Sequence, residues 1–358
     1  MRIGLLRRGG IGDWIVFHFA LESLRSWLGN DQVEIVVFAE NRQAEIIEMI
    51  GLADRTICFD SRQLRRNLFA RRALLADVRH EAFDAWIDAD LNRSSLGDAL
   101  ARASAAPLRI AFSASAEQPC SRNFERRTFT HLIPDPLGSV HITDRFMRLM
   151  RFAAETLGAR TGDTIVERPS GLRRYRWSGA GSSTLVIAPS ASSPVRMWPV
   201  TRFAELAQHF SQIHALQLVL VGSSADAQAV HALHALVGRS TVRVGLDSLK
   251  ELFELISSAR MLLTNDSGPM HIGYVTATPT LALVSGADYT AYADYPRPHA
   301  AYAAAHATDT TCFNCRWRCT RHHGTTDTIK PCLNDVTVDQ ATHLGDALLI
   351  ATRQEGSQ

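Results

Sequence analysis

Residues 2–28 read RIGLLRRGGIGDWIVFHFALESLRSWL, and their division into three parts decides the fold. Residues 2–6 form an apolar run of strand length. Gly9-Gly10-Ile11-Gly12-Asp13 is a glycine loop. Residues 14–28 carry apolar side chains at helical spacing. A strand, a glycine turn and an amphipathic helix open a βα unit. Working outward, the same alternation continues. Strand-like runs fall at 33–39, 56–59, 83–90 and 108–112, with helical stretches at 42–50, 62–78 and 94–103. It lapses in a glycine-containing stretch around 160–181 and then restarts. Strands are expected at 184–188, 216–222, 241–244, 261–264 and 280–284. Helices are expected at 200–210, 225–237, 249–258, 268–277 and 338–351. Such alternation predicts an α/β chain built on parallel sheets.

The chain has 358 residues, which suits about two domains. Two parallel-sheet domains joined near residue 175 imply a cleft between them, because open α/β sheets bind ligands outside the carboxyl ends of their strands. A nucleotide-sugar transferase, a kinase, a synthetase and a periplasmic-type binding protein all fit that outline, so the residues must decide. Hydrophobic residues make up 46% and charged residues 21%, which excludes a disordered chain. Lys and Arg number 38 against 36 Asp and Glu, a net charge of +2, and no global field draws in nucleic acid. Apolar runs are too short for a membrane span or a signal peptide, and the expected address is cytoplasmic.

Three loops follow strands and precede helices. In the first, Gly10 and Gly12 let backbone approach a ligand, and Asp13 is either a helix-terminal carboxylate or a general base. Its spacing is neither a dinucleotide fingerprint nor a P-loop. In the second, Asn265-Asp266-Ser267-Gly268-Pro269-Met270-His271, a polar strand end meets a Gly-Pro helix start. The amides of Ser267 and Gly268 suit a diphosphate, and His271 lies one turn in. The third runs from Pro189 to Pro199, where Ser190, Ser192 and Arg196 suit phosphate oxygens. Asp88-Ala89-Asp90 reads as D-x-D, a metal-binding signature of another transferase fold. That fold leaves the second half of the chain unexplained, and the match is taken as coincidence.

Together these residues resemble glycosyltransferase family 9, the ADP-heptose:lipopolysaccharide heptosyltransferases. Gly12-Asp13 resembles the family's GD pair, and Leu21–Arg25 its A-L-R segment. Residues 83–88 (FDAWID) resemble its F-D strand, and 141–158 resemble the helix before its linker. Residues 196–199 (RMWP) resemble its K-x-W-P motif, Val219–Gly222 with Asp226 its VGG…E segment, and 264–271 (TNDSGPMH) its (N/V)D(S/T)G-x-x-H motif. The resemblance implies a GT-B fold of two Rossmann-like domains. Residues 1–170 then bind acceptor, 171–183 link, 184–337 bind the nucleotide-sugar donor, and 338–358 form a terminal helix and tail. It implies inverting, metal-independent transfer of heptose from ADP-heptose to a hydroxyl, with lipopolysaccharide inner core as the expected acceptor. Asp13 is then the base, and Arg196, in place of a lysine, stabilises the leaving diphosphate. Asp266 holds sugar hydroxyls, Ser267 and Gly268 bind phosphate, and His271 lines the donor pocket. Asp226 stands where an acid binds ribose, and Ser190 and Ser192 are phosphate candidates. A protein-serine acceptor and a non-catalytic nucleotide-sugar-binding scaffold are the alternatives.

Four of the six cysteines cluster as Cys312, Cys315, Cys319 and Cys332. Thiolates in this number suit a structural zinc or iron remote from bond-making, with Arg316, Arg318 and Arg321 keeping them ionised and His322 or His323 as substitute ligands. This cluster alone resembles the autotransporter heptosyltransferase subgroup, which modifies protein serines and uses cysteine-bound iron to organise a ring. A homo-oligomer is considered on that ground. The alternating basic and apolar stretch 62–72, and the basic residues 122–127, are candidates for anionic lipid core or the inner-membrane surface.

Overall fold

The computed structural model describes residues 1–29, 32–113, 122–135, 140–162, 170–246, 248–296, 299–307, 312–320 and 329–354. It divides into two compact units. The first comprises residues 1–137 and 142–171, the second 138–141 and 172–358.

In the first unit, strands β1 (Arg2–Leu6), β2 (Glu34–Glu40), β3 (Arg55–Phe59), β4 (Ala85–Asp88), β5 (Leu108–Phe112) and β6 (His131–Ile133) form one sheet in the order β3-β2-β1-β4-β5-β6. Every pairing is parallel, with Leu5 of β1 opposite Val37 on one side and Ile87 on the other. The central strands are buried on both faces, which is why they read as continuous apolar runs rather than alternating ones. Around the sheet lie α1 (Ile11–Leu28), α2 (Ala44–Ile50), α3 (Ser61–Arg66), α4 (Leu68–His80), α5 (Ser95–Ala103), α6 (Arg122–Thr128) and α7 (Ile142–Thr156). Phe17 of α1 meets Phe146 of α7 edge to face at 5.0 Å.

The second unit repeats the plan. Strands β7 (Thr184–Ala188), β8 (Gln217–Gly222), β9 (Thr241–Val244), β10 (Met261–Asn265), β11 (Thr280–Leu283) and β12 (Tyr302–Ala305) run in the order β12-β11-β10-β7-β8-β9, again all parallel. Its helices are α8 (Val200–Ile213), α9 (Ala227–Val237), α10 (Leu249–Ser258), α11 (Gly268–Thr276), α12 (Tyr289–Tyr292), α13 (Pro331–Asn334) and α14 (Val338–Gln354). Counted within its own unit, each sheet has the doubly wound order 3-2-1-4-5-6. Strand order reverses between β1 and β4 in the first and between β7 and β10 in the second. Those two crevices are where ligands bind in such sheets.

Several expectations are corrected. The helix expected over 62–78 is two helices broken at Asn67. Its backbone is extended (φ −117°, ψ 99°) and its side chain accepts the Ala70 amide at 3.0 Å, so it ends α3 and caps α4. The edge strands β6 and β12 are additions, short and only partly buried for the most part. The boundary between the two units falls at 171/172, and the residues after it are tied to the second unit. Leu172 and Tyr175 are buried, and the amides of Trp177 and Ser178 pair with the carbonyls of Thr276 and Ser257. The C-terminal helix α14 contributes Ala341, Leu348 and Leu349 to the second unit's core.

Candidate active site

In the first unit the polar groups gather at the ends of β1 and β4. After Leu6 the chain gives Arg7 and Arg8, then the glycines. Asp13, in the first turn of α1, reaches back so that its Oδ2 accepts the Gly10 amide at 2.7 Å. Its Oδ1 accepts Arg7 Nη2 at 3.0 Å. A Cβ on Gly9 would come within 2.7 Å of the Asp13 side chain, so the loop needs glycine there to admit the carboxylate. Asp13 keeps 29% of its side chain exposed, and it therefore presents to solvent rather than to packed interior. Gly10 is exposed and Gly12 buried.

Arg7 is buried, with its guanidinium 4.5 Å over the Phe146 ring and Nη1 directed to the Ala89 carbonyl at 3.4 Å. It fixes Asp13 from below. Next to it, Arg8 donates from its backbone amide and from Nε to the two oxygens of Asp90, at 2.6 and 2.5 Å, and from Nη2 to Ser94. Asp88 Oδ1 accepts the Asp90 amide. Burial and the neighbouring Asp90 push the Asp88 carboxyl well above the usual carboxylate range. The D-x-D pair is thus one carboxylate held by an arginine and one driven toward its neutral form. Neither Arg7 nor Arg8 was singled out from the sequence, because the dipeptide at a strand end looks the same whether buried or solvated.

In the second unit the organising residue is Asn265, fully buried at the end of β10. Its Oδ1 accepts the Trp198 amide at 2.9 Å and its Nδ2 donates to the Pro189 carbonyl at 2.6 Å. One side chain therefore pins both the serine loop and the R-M-W-P segment to the β7–β10 crevice. Trp198 is a core anchor, its indole N–H donating to the Val336 carbonyl at 3.0 Å. Anchoring at Trp198 fixes Arg196, in the 3₁₀ turn Pro194–Arg196, two residues away. Arg196 Nη1 stands 3.8 Å from Asp266 Oδ2, with 30% of the arginine side chain exposed. Ser267 caps α11, with its Oγ 3.2 Å from Thr264 Oγ1, and Gly268 supplies the first amide of the helix. Ser190 is buried and Ser192 exposed on the loop after β7.

His271 is buried, and its Nδ1 meets the Tyr295 hydroxyl at 2.5 Å. Tyr295 stacks on Tyr274 at 3.5 Å. Burial pushes the Tyr295 and Tyr302 phenols well above their ordinary range, so both remain O–H groups. Asp226 follows β8, and its Oδ2 accepts the amide and hydroxyl of Ser223 at 2.8 and 2.5 Å. Like Asp13, which accepts the Gly10 amide, it reaches back to an amide three residues before it, but at the turn after the second strand of its sheet rather than the first.

The cysteine segment is closer to this site than expected. Residues 312–319 fold onto the loop after β11, with the Asn314 and Arg316 amides donating to the carbonyls of Gly286 and Ala287. Trp317 lies under the Arg196 guanidinium at 5.1 Å, and its indole N–H donates to Asp288. Arg196 thus sits between Asp266 and Trp317, and nothing in the sequence around Trp317 marks it for that place. Cys312, Cys315 and Cys319 are half-buried and Cys332 is buried, all as free thiols. Burial raises Cys315 and Cys332, and the neighbouring thiols raise both further. No arginine is among the causes that act on either thiol. Among the described residues no three of these sulfurs lie within 4.8 Å of one another, and as placed they do not enclose a tetrahedral ion. Arg321, His322 and His323 lie outside the described residues.

Residues 71–318 match the family described as glycosyltransferase family 9 (heptosyltransferase). Lipooligosaccharide heptosyltransferase 2 of Campylobacter jejuni is 25% identical over 171 residues, 46% of this chain and 51% of that protein. The chain thus spans about half the length of the curated relatives it matches. Among solved structures, a glycosyl transferase family 9 protein of Veillonella parvula superposes with a TM-score of 0.73 at 19% identity, over 98% of this chain and 97% of that one. The ADP-heptose LPS heptosyltransferase II of E. coli gives 0.70 at 18% identity, over 99% and 100%. These structural likenesses establish the two-domain α/β fold.

Proposed function

The chain belongs to glycosyltransferase family 9, and from that premise we propose that it moves heptose from ADP-heptose to a hydroxyl of the lipopolysaccharide inner core, with inversion and without a catalytic metal. The observation that carries this reading is the placing of Asp13 at the reversal point of the first sheet, partly exposed and fixed by Arg7 and the Gly10 amide. Inversion requires one base behind the attacking oxygen and stabilisation of the departing diphosphate. Asp13 takes the acceptor proton. In the second unit, Arg196 and the opening amides of α11 at Ser267 and Gly268 receive the charge that develops on ADP. Arginine cannot surrender its proton, so Arg196 acts electrostatically. Asp266 accepts sugar hydroxyls, and His271, with Tyr295 behind it, lines the donor side. Ser190 and Ser192 contribute phosphate hydrogen bonds, and Asp226 binds ribose through Oδ1. The exposed arginines of α3 and α4 face the anionic lipid acceptor or the inner-leaflet surface that carries it.

The test is to incubate the protein and its Asp13→Asn variant with ADP-, UDP- and GDP-sugars and a lipid A–core acceptor, reading nucleotide release and acceptor mass. The wild type is expected to release ADP and add one heptose. The variant is expected to lose about 10²–10⁴-fold in kcat while still binding ADP. Asn keeps an acceptor for the Gly10 amide but leaves Arg7 without its carboxylate, so a melting curve accompanies the assay. Preference for a UDP or GDP donor, or unchanged turnover in a folded variant, refutes the reading.

A further inference from the structure

Helices α8 and α14 pack against each other in the second unit's core through Phe210, Ala341, Leu348 and Leu349. Their approach depends on Gly345. A Cβ there would fall 2.3 Å from Phe210 Cζ, so no other residue permits this spacing. The closeness brings together the residues beside that contact. Asp346 follows Gly345, His209 precedes Phe210, and His214 caps the end of α8.

His209 Nε2 lies 3.0 Å from Asp346 Oδ1 and 3.2 Å from Oδ2. His214 Nε2 lies 2.7 Å from the same Oδ1. All three ligand atoms fall within 4.8 Å of one another, and among the described residues no other trio of His, Cys, Asp or Glu does so. The proposed transfer chemistry does not use these groups, and both imidazole rings lie against Phe210, at 5.4 and 6.0 Å between centroids. As placed, the Nε2 atoms of both imidazoles are hydrogen-bonded to the carboxylate, and replacing the bridging protons with one cation would turn the same three groups into ligands. Zinc-class ligand distances of about 2.0–2.2 Å place neighbouring ligand atoms roughly 3.2–3.6 Å apart, so the two histidine–carboxylate contacts need to open by roughly 0.2–0.9 Å. The three side chains are 28%, 12% and 32% exposed, which leaves freedom for that adjustment and access for water. Two imidazoles and one carboxylate select borderline divalent ions over calcium or magnesium.

We propose that His209, His214 and Asp346 form a three-ligand site for a zinc-class divalent cation, with water completing the tetrahedron, and that the ion fastens the C-terminal helix to α8. The full-length protein is stripped with a chelator and titrated with Zn²⁺ by calorimetry, in parallel with Asp346→Asn and His209→Gln. Both variants keep a hydrogen-bonding side chain in place, and circular dichroism checks their fold. The wild type is expected to bind one more equivalent than either variant. At a hundredfold excess over Kd its Tm is expected to rise by roughly 5 °C, with no such rise in the variants. Co²⁺ distinguishes this site from the cysteines, because only thiolate ligands give an intense near-ultraviolet charge-transfer band. Equal zinc stoichiometry and affinity in wild type and variants overturns the proposal. So does a cobalt spectrum in which every bound ion carries the sulfur band.

Discussion

Arg196 shows how far a single position is legible and where legibility stops. Its place after a strand, two residues before a Trp-Pro pair, was readable, and so was its suitability for phosphate. What orients it was not. Trp317 is 121 positions further on, inside the cysteine segment, and only folding places its ring 5.1 Å from the guanidinium. A cation over an indole face contributes about 0.5–2 kcal/mol. Trp317→Ala is therefore expected to raise the Kd for ADP by roughly 2- to 30-fold, with Trp317→Phe recovering part of the loss. Equilibrium binding of ADP reads this directly. Equal affinity in the alanine variant and the wild type would show that Asp266 alone sets the arginine. Arg7 was hidden for a different reason. Burial is a tertiary property, and a cation beneath Phe146 has the same sequence neighbours as one in solvent.

At the scale of elements, the long strands and helices were readable because central parallel strands are apolar throughout and helices such as α5, α7 and α10 carry their apolar residues on one face. The break at Asn67 was not, because 62–78 keeps a helical pattern across a residue that caps in both directions. Edge strands such as His131–Ile133 bury too little to leave a pattern. Helix α1 hides a further feature. His18 is wholly buried, and desolvation lowers its pKa to about 3, the carbonyl of Ile15 opposing only in part. The unfolded chain takes up this proton near pH 6.5 and the folded one does not until about pH 3. Between those values the unfolded state binds more protons, so stability falls as pH drops. From pH 6.5 to 5 this one group removes roughly 2 kcal/mol. His18→Phe is expected to shrink the difference in urea-unfolding free energy between pH 7 and pH 5 by about that amount. An identical difference in both proteins would show that the ring is protonated inside the fold.

For the molecule as a whole, the net charge of +2 conceals a local excess. From Ser61 to Ala76 the sequence holds Arg62, Arg65, Arg66, Arg71 and Arg72 and no acid. At the junction of α3 and α4, Leu68 is 63% and Phe69 82% exposed, two large apolar side chains set among those guanidinium groups. No helix of the described residues is long and apolar enough to cross a membrane. Each arginine near an anionic leaflet contributes about 1 kcal/mol, and this part is screened by salt. The two apolar side chains contribute a further few kcal/mol if they enter the interface, and that part is not screened. The protein is therefore expected to sediment with vesicles rich in anionic lipid, less so as salt rises. The double variant Leu68→Ser with Phe69→Ser is expected to bind at least tenfold more weakly at every salt concentration. Its turnover on a delipidated core acceptor should be unchanged, because neither side chain belongs to the donor or base groups. Equal sedimentation of variant and wild type would reduce the patch to a solvated helix face. Salt-sensitive loss of turnover on the delipidated acceptor would instead assign the arginines to the sugar.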